Sequence, residues 1–302
     1  MEPNLEVRIG SLRLRNPLIL ASGVVGHNTN LLLKAWDMGA GALVTKTFTY
    51  EPRSGYVTPT IVELPYGYIN AVGLENPGIE KIGEVLQKLK DRGAIVIVSI
   101  AGRNVEEFIG LAKKAVESGA DAIELNLSCP HAGEYGYRQG IDRDFVVKVI
   151  RGVRDEVDVP ILPKFGVAPN LVDIVKISEF SGADGVVLIN TIRAMKIDVW
   201  IKKPVLSNKY GGLSGPAIHP IAVACVYSVY EATDIPIVAS GGVWGWEDVV
   251  EFMLAGANAV QVGSVLGRVG MEVFSEILEG IKRYLRKNSI RDVTEIIGLA
   301  HD

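Results

Sequence analysis

The chain has 302 residues, 48% of them hydrophobic, and a formal net charge of −4 at pH 7. That apolar content supports a large core and argues against disorder, while the acidic balance argues against nucleic acid as the main partner, because neutralising phosphates needs a basic face. Two cysteines, Cys129 and Cys225, cannot build a disulfide framework or a zinc cluster.

The opening residues, Met1-Glu-Pro-Asn-Leu-Glu6, lack the positive region and apolar core of a signal peptide. Nowhere do about 18–20 apolar residues run together to span a bilayer. A soluble, cytoplasmic protein is expected. Leu5–Ile9 and Leu12–Arg15 alternate apolar and charged residues around Gly10-Ser11, the pattern of a small β-hairpin placed to plug the bottom of a barrel.

From there to the end, short apolar runs alternate with amphipathic segments. The runs Leu18–Ala21, Ala42–Lys46, Ile95–Ile100, Ala122–Asn126, Ile161–Phe165, Gly185–Asn190, Ile235–Ala239 and Ala259–Val262 are predicted strands. Helical patterns follow them near residues 29–39, 78–91, 105–118, 143–156, 170–181, 218–231, 246–255 and 270–286. Near-continuous Val, Ile and Leu runs suit strands buried on both faces. Eight such βα units predict a (β/α)8 barrel with an N-terminal hairpin and inserted loops at its C-terminal face, a single domain over residues 1–302.

One phrase recurs: Met38-Gly-Ala-Gly-Ala-Leu, Ser118-Gly-Ala-Asp-Ala-Ile, Ser181-Gly-Ala-Asp-Gly-Val and Ala255-Gly-Ala-Asn-Ala-Val. Each reads as a helix C-terminal glycine, a tight turn and a strand start, the same αβ corner four times. A doubly wound sheet is the alternative. It would need an edge and a switch point, and no composition break marks one; no Gly-x-Gly-x-x-Gly follows the first strand. Cys225, in the apolar helical run Ile221–Tyr227, is expected in the core. Lys282–Lys287 reads as the solvated end of a terminal helix.

In such a barrel the chemistry sits at the carboxyl ends of the strands. Those ends are Ala21-Ser22-Gly23, Thr45-Lys46-Thr47, Ser99, Asn126 with Cys129, Lys164, Asn190-Thr191, Ser240-Gly241-Gly242 and Gly263-Ser264. Two connections, Thr47–Pro77 and Thr191–Pro216, are too long for simple barrel loops, and loops of that length are usually functional or disordered. Gly241-Gly242 after strand seven and Gly263-Ser264 after strand eight stand where barrels bind phosphate, with a helix start near Trp246 to complete an anion site. Lys46 and Lys164 each end a buried apolar run, which calls for an anionic partner. Phosphate, lysines and amides together fit flavin mononucleotide (FMN) best, with pyridoxal phosphate as the alternative; the spacing alone does not separate them. Cys129 is followed by Pro130 and by the Gly- and Tyr-rich run 131–140, which has no helical period and reads as a mobile flap over the pocket.

As an ordered set, several motifs resemble the class 1 dihydroorotate dehydrogenases, flavin barrels of pyrimidine biosynthesis, and do so over nearly the whole chain. They are Asn16-Pro-Leu-Ile-Leu-Ala-Ser-Gly23, Thr45-Lys-Thr47, Asn70-Ala-Val-Gly-Leu-Glu-Asn-Pro-Gly78, Asn126-Leu-Ser-Cys-Pro130, Lys164, Ile189-Asn-Thr191, Gly211-Gly-Leu-Ser-Gly-Pro216, Ser240-Gly-Gly242 and Val260-Gln-Val-Gly-Ser264. The resemblance implies an FMN site made by Ser22, Lys46, Thr47, Ser99, Asn126 and Lys164, closed by Ile189, Gly215, Gly241, Gly242, Gly263 and Ser264. It implies a substrate site made by Lys46, Asn70, Ala71, Val72, Gly73, Leu74, Asn126, Asn190 and Thr191. Cys129 is then the base that removes the C5 proton of dihydroorotate while a hydride leaves C6 for the flavin. A thiol needs only a modest downward shift to do this near neutral pH.

Two positions depart from the family pattern. His131 stands where asparagine usually follows Cys-Pro, and Ser99 where the subclass often has asparagine. Cys129-Pro-His131 is more like the flavin domain of dihydropyrimidine dehydrogenase, so uracil or thymine reduction is the alternative reaction, and a non-catalytic metabolite-binding barrel is a third reading. The Asn70–Gly78 and Ser214–Pro220 runs resemble the NAD-linked class 1B catalytic subunit. That implies a separate subunit carrying FAD and an iron–sulfur cluster, with a homodimer core within a heterotetramer; charge and hydropathy point to neither nucleic acid nor membrane as a partner.

Overall fold

The computed structural model describes residues 2–128 and 137–301. Eight parallel strands form a closed barrel: β1 (Leu18–Leu20), β2 (Ala42–Val44), β3 (Val96–Ile100), β4 (Ala122–Asn126), β5 (Ile161–Phe165), β6 (Val186–Leu188), β7 (Ile237–Ser240) and β8 (Ala259–Val262). Each pairs with the next, and β8 closes on β1 through Val260 opposite Leu18. All eight lie at the predicted places, three with the predicted bounds and the other five one to three residues shorter. The doubly wound alternative is ruled out by that closure.

The helices α1 (Thr29–Asp37), α2 (Ile82–Lys90), α3 (Val105–Glu117), α4 (Arg143–Arg154), α5 (Leu171–Phe180), α6 (His219–Tyr230), α7 (Trp246–Leu254) and α8 (Val273–Lys287) surround it. They bury one face each; in α4, for example, Val146, Val149, Ile150 and Val153 turn inward at helical spacing. Cys225, expected in the core, is only partly buried on α6 and packs against the core's edge. Among the described residues no helix is long and apolar enough to cross a membrane.

The repeated phrase has a backbone cause. Gly39, Gly119, Gly182 and Gly256 have φ of 111°, 98°, 100° and 113°. Each follows a helix C-cap and adopts the left-handed conformation that a side chain disfavours, which turns the chain straight into the next strand. The N-terminal hairpin pairs Val7–Ile9 with Leu12–Leu14 and buries its apolar residues while Arg8 and Arg13 face out. Ile9 lies against Gly185 at the entry to β6, so the hairpin covers the amino-terminal end of the barrel.

At the opposite end the two long connections are not irregular loops. Ile61–Leu64 and Gly67–Asn70 from the first, with Gly211–Ser214 and Ile192–Ala194 from the second, form one antiparallel four-stranded sheet. The sequence reading missed it because its glycines look like turn residues. A Cβ at Gly67 would overlap the Ser214 carbonyl oxygen, one at Gly211 would stand 2.6 Å from the Asn70 carbonyl oxygen, and one at Gly212 would overlap the Thr191 hydroxyl. These are strand glycines that let backbones approach closely.

A second correction concerns the run 131–140: Tyr137–Gly140 forms a helical turn. Gly140 sits on the Leu127 carbonyl, and Gln139 Nε2 donates to the Gly102 and Arg103 carbonyls, so this end folds back onto the exit of β4. Residues 129–136, which include Cys129, Pro130 and His131, lie outside the described residues.

Candidate active site

Glu124 and Asn126 are two apart on β4 and therefore face the same side, the barrel lumen. Gln261 lies on β8, four places from β4 in a ring of eight. The 2.7 Å hydrogen bond from Gln261 Nε2 to Glu124 Oε2 thus crosses the lumen. Lys164, on β5 in register with Asn126, donates from Nζ to Gln261 Oε1 at 2.7 Å and stands 3.6 Å from Glu124 Oε2. Lys164 is 6% exposed and Glu124 0%, so the predicted anionic partner of Lys164 exists and both charges are buried. Glu124 Oε1 has no hydrogen-bond partner among the described residues.

A second network of hydroxyls and amides lies at the exits of β1 to β4. Ser22 Oγ donates to the Thr45 carbonyl at 2.8 Å. Asn126 Nδ2 donates to Thr47 Oγ1 at 3.0 Å, and Thr47 Oγ1 is 3.0 Å from Ser99 Oγ. Asn126 Oδ1 accepts from Ser128 Oγ at 3.2 Å, and Asn190 Nδ2 donates to Ser128 Oγ at 2.9 Å. Lys46 brings its ammonium group alongside Gly23, where a Cβ would stand 3.5 Å from Nζ.

On the far wall, Gly241 and Gly242 have φ of 131° and 78°. A Cβ on Gly242 would stand 2.7 Å from the His219 nitrogen and 2.8 Å from the Gly215 carbonyl oxygen. His219 braces this turn: Nδ1 is 3.2 Å from the Gly241 carbonyl and Nε2 is 3.0 Å from Glu251 Oε2. Two of the amides just before α7 are already taken. Asp248 Oδ2 accepts from the Trp244 and Gly245 amides at 2.6 and 2.8 Å, so these amides serve the helix cap.

These walls enclose a cavity of about 350 Å³, within the range of about 300–1,000 Å³ usual for cofactor and substrate sites. Of the predicted cofactor residues, Ser22, Lys46, Thr47, Asn126, Lys164, Ile189, Gly241, Gly242, Gly263 and Ser264 line it. Ser99 lies behind Thr47, and Gly215 behind Gly242. Of the predicted substrate residues, Asn70, Val72, Gly73, Leu74, Asn190 and Thr191 line it, whereas Ala71 turns into the small sheet's own core. Cys129 lies outside the described residues. Asn76 holds the 70–78 loop: its Nδ2 donates to Thr49 Oγ1 at 2.7 Å and to the Leu74 carbonyl at 2.8 Å.

Sequence reasoning missed Glu124 and Gln261 at the floor, and Tyr68 and Ser214 in the ceiling. A glutamate inside an otherwise apolar strand, Ala122-Ile-Glu-Leu-Asn126, was the available signal for the first. His27, outside the cavity lining, packs edge-on against Phe48 at 5.0 Å between ring centroids. Burial holds the His27 imidazole below its ordinary range, and the nearby Lys46 charge adds to the effect.

A closed parallel barrel with lysines, amides and a glycine cradle at its carboxyl mouth defines an enzyme that works on a small molecule at that mouth. The chain belongs to the dihydroorotate dehydrogenase family, whose sequence profile matches residues 4–285. It is 50% identical over 299 residues to the protein of Pyrococcus abyssi named dihydroorotate dehydrogenase B (NAD(+)), catalytic subunit, covering 98% of this chain and 99% of that one. It is 47% identical over 303 residues to the protein of the same name from Methanothermobacter thermautotrophicus, with 99% of each chain covered. The likeness to the namesake from Thermoplasma acidophilum is 42% over 298 residues, 98% of this chain and 99% of that one.

Proposed function

We propose that this chain, as one barrel domain, oxidises dihydroorotate to orotate in pyrimidine biosynthesis, with FMN as its cofactor and Cys129 as its base. The observation that carries the reading is the convergence of Lys46, Lys164, Asn126 and Asn190 with a glycine cradle on one cavity, in a chain of this family.

The residues fit FMN on three counts. Gly241-Gly242 and Gly263-Ser264 leave a wall without side-chain bulk, where a Cβ on Gly242 has no room. The donor set of two lysines, hydroxyls and amides suits one phosphate and a ring rich in hydrogen-bonding groups. Lys164, buried on the floor, suits a ring that gains negative charge on reduction. When bound, FMN supplies a two-electron acceptor for the substrate's C6 hydride.

The protein's own residues do the rest. Asn70, Asn126 and Asn190 bind and orient the amide-rich substrate, and Lys46 takes up its carboxylate. The small sheet excludes water from above, which strengthens each of these contacts. Cys129 follows directly on Ser128, which Asn126 and Asn190 hold in place, and its thiolate removes the C5 proton. The relatives' names include "catalytic subunit". In line with this, we place the NAD-linked electron exit on a separate subunit carrying FAD and an iron–sulfur cluster, around a homodimer of this chain in the cytoplasm.

Anaerobic mixing of the purified protein with substrate tests the reading. Bleaching of the flavin absorbance by dihydroorotate but not by dihydrouracil supports it. The reverse pattern would establish the dihydropyrimidine reading that Cys129-Pro-His131 suggests, and bleaching by neither would leave a binding barrel.

A further inference from the structure

The floor of the cavity holds a buried ion pair, Lys164 and Glu124, bridged by Gln261. Lysine only donates and a carboxylate only accepts, so the amide of Gln261 has one possible orientation between Lys164 and Glu124. The three side chains form a directed chain from ammonium through amide to carboxylate, across the lumen and open to the cavity. A buried ion pair of this kind is seldom worth its desolvation, and an apolar layer commonly fills such a position as well. Glu124 also keeps a buried Oε1 with no partner among the described residues, a feature that in native structures calls for a reason beyond packing.

We propose that Glu124 is a positioning residue: through Gln261 it holds the Lys164 ammonium group at the cavity floor, and its charge offsets part of that of Lys164, setting how readily the bound cofactor accepts electrons. The inference rests on the FMN reading above. Without Glu124 the floor carries an uncompensated positive charge and favours the reduced, more negative cofactor. Without Gln261 the ammonium group loses its acceptor and retreats toward Glu124, now 3.6 Å away, and so away from the cavity.

The test is the reduction potential of FMN in the purified holoprotein, measured by equilibration with a redox dye. Glu124→Gln keeps the shape and an acceptor for Gln261 but removes the charge. It is expected to shift the equilibrium toward reduced FMN about tenfold, some 30 mV more positive for a two-electron couple. Gln261→Met is expected to shift it the other way, and Glu124→Asp to stay within about twofold of the parent. A Glu124→Gln shift below twofold, or shifts of the same sign in Glu124→Gln and Gln261→Met, would overturn the proposal. Should Glu124→Gln fail to fold, Gln261→Met decides alone: a fall supports the proposal and an unmoved potential overturns it. Parent protein that carries no FMN overturns the cofactor reading and this inference together. FMN-loaded protein with unmoved potentials overturns only the role of Glu124.

Discussion

Asn190 Nδ2 donates to Ser128 Oγ at 2.9 Å, joining the exit of β6 to the exit of β4 across the mouth of the barrel. Ser128 is buried, and its hydroxyl also donates to Asn126 Oδ1 at 3.2 Å. One hydroxyl therefore sets two amides proposed to read the substrate, one residue before Cys129. Ser128→Ala removes both contacts. A net hydrogen bond is worth about 0.5–1.5 kcal/mol, so losing two, about 1–3 kcal/mol, should raise the KM for dihydroorotate roughly five- to 150-fold while FMN is retained. Steady-state kinetics beside flavin content checks this; a loss of FMN without a change in KM would assign Ser128 to the cofactor instead.

Cys129→Ala should keep its FMN and lose about 10²–10⁴-fold in the rate of flavin reduction, the usual value of a positioned base. Cys225→Ala should react normally. Burial pushes the Cys225 thiol up, so iodoacetamide should reach it slowly near neutral pH. Peptide mapping of inactivated enzyme should find the label on Cys129, and inactivation tracking Cys225 would refute the assignment.

Gly242→Ala forces a side chain onto a φ of 78° and against His219 and Gly215. Strain of this kind costs about 1–3 kcal/mol, and here it falls on the glycine cradle. FMN affinity should drop roughly five- to 150-fold in fluorescence titrations of apoprotein, with the far-ultraviolet dichroism of the barrel retained. Unaltered affinity would show that this turn does not hold the cofactor.

His27 gives a pH signature. Its folded value lies below the ordinary 6.5, with burial as the main cause. The unfolded chain therefore takes up this proton first as the pH falls, and stability drops with it. The contribution is whole above pH 6.5 and is lost as the pH descends through the folded value. His27→Gln should lose less stability than the parent between pH 7.5 and 5, judged by urea midpoints; parallel pH slopes would remove His27 from the account.

The barrel was legible in the sequence because its signals are local. Apolar runs mark doubly buried strands, and the corner glycines at 39, 119, 182 and 256 carry a conformational demand visible in the letters themselves. Strand ends then placed Lys46, Asn126, Lys164 and Asn190 at one mouth. What stayed hidden depends on pairing between distant segments. Glu124 and Gln261 are 137 residues apart and become partners only when the barrel closes. Gly67 and Gly211 read as turns because only the opposing strand shows why a side chain is forbidden. The amides before α7 looked free until Asp248 was seen to occupy them.

The small antiparallel sheet has a consequence for how this barrel can change. Its strands come from two connections more than a hundred residues apart, and neither pairs fully without the other. Anyone transplanting selectivity from one such barrel to another must therefore carry both segments as a single cassette, since a lone donor loop would face a mismatched backbone register. The cassette includes the sheet's own apolar core, Leu64, Ile69, Ala71 and Leu206, because these side chains pack the two segments together beneath the main-chain pairing.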